Sequence, residues 1–136
     1  MSLDVFCFGD VLVDRAAVVA EIPLGIVTKN DLFHEYDMQL RFPEYFGANW
    51  DAFDECMSDL SWLPDGTIVV RHQDLPLSGD RHNLRCFVSI LAYAVWKFRE
   101  RGDQDLVVVM PTCERATVQS VLRDCFPHLH SDRGSS

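Results

Sequence analysis

Apolar segments with strand-like patterning alternate with amphipathic, helix-like segments along this chain of 136 residues. The run from Leu106 to Met110 is apolar on both faces, and it follows a long helical pattern from Asn83 to Arg101 that ends at Gly102. A strand that is apolar on both faces belongs inside a parallel sheet covered by helices. Strands separated by helices of this length also imply right-handed crossovers between parallel neighbours. The sequence therefore predicts a small α/β domain.

Residues that favour helix ends and turns indicate where the remaining helices and strands begin and end. Thr28, Asn49 and Thr112 each precede a helical pattern and carry side chains suited to cap a helix N-terminus. The predicted elements, in chain order, are strand-like runs at Leu3–Phe8 and Val11–Val13, a strand at Ala17–Ile22, helices at about Lys29–Gln39 and Trp50–Leu60, a strand at Thr67–Val70, the helix Asn83–Arg101, the strand Leu106–Met110 and a helix at about Cys113–Cys125. This order predicts a small parallel sheet of three core strands, with one or two further strands, packed with helices. We expect residues 1–136 to form a single domain.

Negative charge is concentrated in one part of the chain. Between Asp31 and Asp65 there are nine acidic residues and a single base, Arg41, so this segment carries −8 of the formal net charge of −9. A net charge of this sign disfavours nucleic acids and anionic membranes as partners, because both are polyanions. A charge concentrated on one segment indicates a cationic partner.

The cysteine pattern and the N-terminal residues indicate the cellular compartment. Five cysteines are widely spread, with no CxxC pair and no zinc-finger spacing, which favours free thiols in a reducing cytosol over a disulfide framework. The N-terminus lacks the basic n-region of a secretory signal, and no window of 18 uncharged apolar residues is present. We therefore expect a cytoplasmic protein that makes no contact with a membrane.

Motifs for catalysis or for cofactor binding are absent from the sequence. There is no nucleophile–base pair, no phosphate-cradling glycine loop and no hydrolase elbow, so we expect neither an enzyme nor a cofactor. The carboxylates in residues 51–59 lack the spacing of a calcium-binding loop. Cys125, His128 and His130 would hold a metal only weakly, and no metal site is expected.

The segment from Trp50 to Leu60 separates apolar from acidic residues when it is placed on a helix. At 100° per residue, one half carries apolar side chains that can pack against the sheet. The members of this apolar half are Trp50, Phe53, Cys56, Met57 and Leu60. The opposite half carries four carboxylates, here called the acidic face, which belong to Asp51, Asp54, Glu55 and Asp59.

The acidic face is either a solvated surface or a binding surface. The pairs Asp51–Glu55 and Glu55–Asp59 are four residues apart, so their like charges repel and cost about 0.2–0.5 kcal/mol each. A face that keeps like charges together at a cost to stability suits binding to a cationic cleft. From the residues alone, both interpretations stay open.

The run FPEYFGANWDAFDECMSDL, from Phe42 to Leu60, resembles the signature of the barstar family, the intracellular inhibitors of small secreted guanyl-preferring ribonucleases. The matching pattern is an apolar residue, Pro-Glu-Tyr, an aromatic residue, Gly, any residue, Asn, an apolar residue, Asp-Ala, and then an acid followed by Cys. The resemblance extends from about Val18 to Met110 and leaves residues 1–16 and 112–136 as extensions. It implies a three-stranded parallel sheet with helices, and inhibition rather than catalysis.

The resemblance also implies a mechanism. In such inhibitors, the loop and the acidic helix plug the active site of the ribonuclease, where basic residues hold RNA phosphate. By position, Tyr45 would pack against the catalytic region of the enzyme, Asp51 would pair with its basic residues, and Glu55 would enter the phosphate subsite. Asn49 would cap the helix, and Ala52 would allow close approach.

This chain departs from the family pattern at several positions. Glu55 is one methylene longer than the aspartate usual there, Asp54 replaces a bulky aromatic residue, and Asp59 replaces a glycine. Lys97 stands near the position at which the best-known member carries a further acidic residue that contacts the enzyme. Gly47 agrees with the family pattern, and we expect it to adopt a loop conformation that would strain other residues. The predicted partner-binding residues are Tyr45, Asn49, Asp51, Ala52, Asp54, Glu55 and Asp59.

These observations lead to one favoured interpretation and two alternatives. The favoured one is a cytosolic inhibitor or immunity protein that binds a basic guanyl-preferring ribonuclease and blocks its active site. The first alternative is an acidic binding module, of the antitoxin type, for a different basic protein. The second is a small enzyme that uses the carboxylates with a metal ion.

Overall fold

The computed structural model describes residues 2–11, 13–44 and 46–129. The strands are β1 (Phe6–Phe8), β2 (Val18–Ile22), β3 (Gly66–His72) and β4 (Gln104–Met110), and the helices are α1 (Lys29–Leu40), α2 (Trp50–Asp59), α3 (Arg81–Arg101) and α4 (Arg115–Cys125). Over these residues, no helix has the length and apolar character needed to cross a membrane.

The described strands form one parallel sheet in the order β1-β4-β3-β2. Val70 of β3 lies opposite both Ala20 of β2 and Val108 of β4, and Phe6 of β1 lies opposite Val108 from the other side. The inner position of β4 agrees with its apolar character on both faces. The predicted α/β class and parallel sheet are confirmed, and β1 is a strand beyond the three core strands.

Alternation along the strands sends side chains to two faces of the sheet that are covered differently. Ile68, Val70 and Val108 point toward the helices and belong to the main apolar core, each with 0% exposure. Val69 and Val109 point to the opposite face, yet they are 0% and 1% exposed. That second face is therefore covered as well.

The covering segment is the connection from β1 to β2, of which residues 9–11 and 13–17 are described, and it leads from the strand at one edge of the sheet to the strand at the other. The Arg71 guanidinium, which shares a face with Val69, donates to the Val11 carbonyl oxygen at 2.9 Å. Farther along, the Ala17 backbone N–H donates to the Thr67 carbonyl oxygen at 2.8 Å. The first of the two extensions thus contributes a strand and a cover to the sheet.

Trp96 of α3 contacts both extensions. Its indole N–H donates to the Ser2 carbonyl oxygen at 2.9 Å. Its ring meets the Phe126 ring edge-to-face, with centroids 5.0 Å apart, and α4 packs along α3 beside this contact. The beginning of the first extension and the helix of the second are therefore packed against the same helix, α3.

Two predictions about these extensions are wrong. Val11 and Val13 lie in no strand, because this segment crosses the sheet face instead of pairing with an edge; residue 12 lies outside the described residues. Thr112 does not cap α4: a 3₁₀ turn, Thr112–Glu114, comes first, and α4 begins at Arg115. The Thr112 Oγ1 atom faces the loop after β1, only 2.7 Å from the position that a Cβ on Gly9 would occupy.

Candidate functional site

The N-terminus of α2 is capped as the sequence predicted. Asn49 has extended backbone angles, and its Oδ1 atom accepts a hydrogen bond from the Ala52 N–H at 2.8 Å. The prediction for Gly47 is wrong, because the residue in the left-handed region is Ala48, with φ 51°. Gly47 is needed for a different reason: a Cβ there would lie 3.2 Å from the Asn49 Nδ2 atom. The glycine allows the capping side chain to fold back over the loop.

The apolar half of α2 is buried except for the half-buried Trp50, and it packs chiefly on α3 rather than on the sheet, with ring contacts to α1. The Phe53 ring is 0% exposed and lies 5.0 Å from the Tyr36 ring of α1 and 6.3 Å from the Phe87 ring of α3, centroid to centroid. The Trp50 indole N–H donates to the Asn83 side-chain oxygen near the start of α3 at 3.0 Å. These contacts fix the side of α2 that faces solvent.

The C-terminal end of α2 is held by α3. One guanidinium nitrogen of Arg101 donates to the carbonyl oxygens of Ser58 and Asp59, at 3.1 and 2.6 Å. The Lys97 ammonium lies 3.4 Å from the Ser58 hydroxyl oxygen. No signal along the chain indicated that these two cations would contact a helix about forty residues earlier.

The carboxylates of the acidic face lie on the solvent side of α2. Asp51, Glu55 and Asp59 are exposed, and Asp54 and Ala52 are half-buried. Among the described residues, no Lys, Arg or His lies within ion-pairing distance of any of the four carboxylates. The acidic face is therefore available to an outside partner.

The negative potential extends from α2 to the neighbouring helix α1. Burial, followed by the charges of Glu55, Asp59 and Asp37, raises the pKa of the Cys56 thiol to about 11. Asp37 belongs to α1, so its carboxylate acts at the same place as those of α2. Asp37 lies within the acidic segment of the sequence, but its proximity to α2 could not be predicted, because that proximity depends on how the two helices pack.

The structure brings six of the seven predicted partner-binding residues together on one helix and its cap: Asn49, Asp51, Ala52, Asp54, Glu55 and Asp59. Tyr45, the seventh, lies outside the described residues. Within the part of the chain that the structure describes, no group of three His, Cys, Asp or Glu side chains is placed to hold a metal ion. The arrangement can present charge to a protein surface.

Comparison with known proteins bears on the same region. The sequence model of one family, Barstar (barnase inhibitor), matches residues 18–110, which is more than half of the chain. A search among curated proteins found no match. The matched range begins with β2, ends with β4 and contains α1, α2 and α3, so it includes the whole acidic face. A chain with this match, this parallel sheet and this asparagine-capped acidic helix belongs to the barstar family, which is a family of ribonuclease inhibitors.

Proposed function

We propose that this protein is an inhibitor of the immunity-protein type, which binds a basic guanyl-preferring ribonuclease and blocks its active site. The blocking elements are the loop before α2, which includes Tyr45, and the acidic face of α2. The observation that carries the proposal is that four carboxylates lie on one rigid helix face without an intramolecular cation partner in the described residues. The family match supplies the class of partner.

Electrostatics explains why such a face would bind a ribonuclease. An active site that holds RNA phosphates is lined with cations, and a negative patch increases the rate of encounter with such a site. Asp51, Glu55 and Asp59 repel one another along α2 in the free protein. Cations of the enzyme would relieve that repulsion when the complex forms.

Rigidity explains why binding would inhibit. A carboxylate placed in a phosphate subsite satisfies the cations there but contains no phosphodiester bond for the enzyme to cleave. The Asn49 cap at one end of α2 and the Arg101 contacts at the other keep the helix from adapting to the catalytic machinery. The enzyme would therefore be occupied by a group that it cannot turn over.

Titration of barnase, a ribonuclease of this class, with the purified protein tests the proposal. We expect inhibition at one-to-one stoichiometry, and we expect Asp51→Asn and Glu55→Gln each to weaken it at least about tenfold, because each removes a charge that meets a desolvated cation. Asp105→Asn is the matched control, since it removes the same charge from an exposed residue of β4 on the sheet face opposite the helices. Equal effects of all three substitutions would contradict the proposal.

The extra length of Glu55 and the extra charges of Asp54 and Asp59 favour one alternative, a different basic protein as partner. On this alternative the same surface would act as an antitoxin-type module, and barnase would not be inhibited. Affinity capture from the source cell with the wild-type protein, and with a Glu55→Gln, Asp59→Asn double variant, discriminates the two. Recovery of a ribonuclease by the wild type alone supports inhibition of a ribonuclease, and recovery of another basic protein supports the alternative.

A further inference from the structure

The last turn of α2 depends on Arg101, a side chain from another helix. One terminal nitrogen of its guanidinium donates to the Ser58 and Asp59 carbonyl oxygens at 3.1 and 2.6 Å. These carbonyl groups have no partner within α2, because the last four carbonyl groups of a helix lack intrahelical donors. The left-handed cap residue Leu60 donates its N–H to the Cys56 carbonyl oxygen and not to these two groups, and the last turn of α2 contains no basic residue. Arg101 therefore supplies from α3 the donors for the Ser58 and Asp59 carbonyl groups.

The same guanidinium also orients a buried amide. The second terminal nitrogen of Arg101 donates to the Gln104 Oε1 atom at 2.7 Å. The Gln104 side chain is 3% exposed, and its Nε2 atom donates to the carbonyl oxygens of Leu60 and Leu63 at 3.1 and 3.2 Å. Because the amide oxygen accepts from Arg101, the amide nitrogen must face the loop that follows α2. One cation therefore organises the chain from Ser58 to Leu63.

The position of the guanidinium is itself fixed. Its central carbon lies 4.3 Å from the centroid of the Phe98 ring, and its Nε atom lies 3.5 Å from the Asp103 carboxylate. The Arg101 side chain is 26% exposed, so packing and charge restrict it more than they would restrict a freely solvated arginine.

The choice of acceptor has a functional consequence. A helix C-terminus carries partial negative charge, and Asp59 adds a carboxylate at that end, so α2 needs a cation there. Arg101 supplies it by contacting backbone carbonyl groups and not the carboxylates of the acidic face. The end of the helix is thereby stabilised while the acidic face keeps its full charge for a partner.

We propose that Arg101 is a positioning residue for binding: it fixes the C-terminal half of α2, so that Glu55 and Asp59 are held in the orientation that the partner requires. This inference rests on the proposed function and adds a residue that the acidic face itself does not include. A binding surface that is already ordered loses less conformational entropy when the complex forms. The contribution of Arg101 to affinity would therefore appear in the dissociation rate.

Comparison of Arg101→Ala with Arg99→Ala tests this inference. Both substitutions remove one positive charge from the end of α3, but Arg99 donates to the Asp4 carbonyl oxygen of the N-terminal extension and, within the described residues, hydrogen-bonds to no atom of α2. With barnase as the probe, we expect Arg101→Ala to raise the dissociation rate about tenfold and Arg99→Ala to change it less than about twofold. Arg101→Lys should recover part of the loss, because an ammonium group can reach the carbonyl groups but cannot also hold the Gln104 amide. Equal dissociation rates for Arg101→Ala and Arg99→Ala would overturn the inference.

Amide hydrogen exchange provides a measurement that does not need the partner. In Arg101→Ala, amides in the last turn of α2 should exchange at least about tenfold faster, while amides at the Asn49-capped end keep their rates. In Arg99→Ala both ends should exchange as in the wild type. If the wild type fails to inhibit any ribonuclease, the proposed function fails. In that case faster exchange confined to the last turn still supports a positioning role for Arg101, and unchanged exchange refutes it.

Discussion

The buried pair Tyr36–His72 makes a prediction about acid stability. The His72 Nδ1 atom lies 2.9 Å from the Val109 carbonyl oxygen, and its Nε2 atom lies 2.7 Å from the Tyr36 hydroxyl oxygen. A carbonyl oxygen can only accept, so Nδ1 carries the hydrogen and Nε2 accepts from Tyr36. Both nitrogens are thus satisfied in the neutral ring, and protonation would place a charge at a site that is 4% exposed.

The size of the effect follows from the pKa of His72. Burial lowers that pKa from 6.5 to about 4, against smaller opposing effects of the Val109 carbonyl and the Asp74 charge. Between these two values the unfolded chain binds a proton that the folded protein does not, so the free energy of unfolding falls as the pH is lowered. At pH 4 the loss from this one residue is about 3 kcal/mol, and it is close to zero at pH 7. A loss of that size is a large fraction of the stability of a typical domain.

Urea denaturation of the wild type and of His72→Gln across this pH range measures the effect. Glutamine can hydrogen-bond but does not titrate, so the difference in unfolding free energy between the two proteins isolates His72 from every other acid-sensitive group. We expect the wild type to lose about 3 kcal/mol more than the variant on going from pH 7 to pH 4. A difference that stays constant with pH, or a His72 pKa near 6.5 from an NMR titration of the wild type, would refute the reasoning.

Further substitutions test the loop before α2 and the junction of the extensions. Asn49→Ala should lower the free energy of unfolding by about 1 kcal/mol, because the Ala52 N–H loses its acceptor, whereas Asn49→Asp should be nearly neutral in urea denaturation. Ala48→Gly should raise thermal stability by up to about 1 kcal/mol, since it relieves a left-handed conformation, and a lower melting temperature would contradict this. Gly9→Ala should destabilise the protein by about 1–3 kcal/mol, because φ is 87° there and the new methyl group would meet Thr112; unchanged stability would show that the two loops separate easily. Added salt should slow association with barnase much more than it speeds dissociation, and an association rate independent of salt would exclude steering by the acidic face.

The features that the sequence predicted correctly are those set by residues close together in the chain. The Asn49 side chain caps an N–H three residues later, and the apolar spacing of α2 repeats within two turns, so both features can be predicted from residues that are neighbours in the sequence. The inner position of β4 follows from its apolar run alone. Local patterns of this kind also place the carboxylates of the acidic face on the solvent side.

The features that were missed depend on contacts between distant parts of the chain. The strand-like run predicted at Leu3–Phe8 forms a strand only over its last three residues, because the bounds of β1 are set by pairing with β4, where Phe6 lies opposite Val108 about one hundred residues later. The contact of Arg101 with the end of α2 likewise depends on how two helices pack. Ala48 carries the left-handed conformation although the neighbouring glycine offered the usual signal for it.

The packing of Trp96 has a consequence for how the protein can be shortened. The boundaries drawn by family similarity, residues 18 and 110, exclude Ser2 and Phe126, the two residues that cover this indole from the N-terminal and C-terminal sides. A protein trimmed to those boundaries would retain the acidic face and its contacts with α3, but it would uncover an aromatic surface on α3 and leave one edge of β4 unpaired. Such edges and surfaces promote self-association. In this chain the segment that matches the family is shorter than the segment needed to cover the apolar interior. The boundaries of family similarity are therefore not the boundaries of the folded domain.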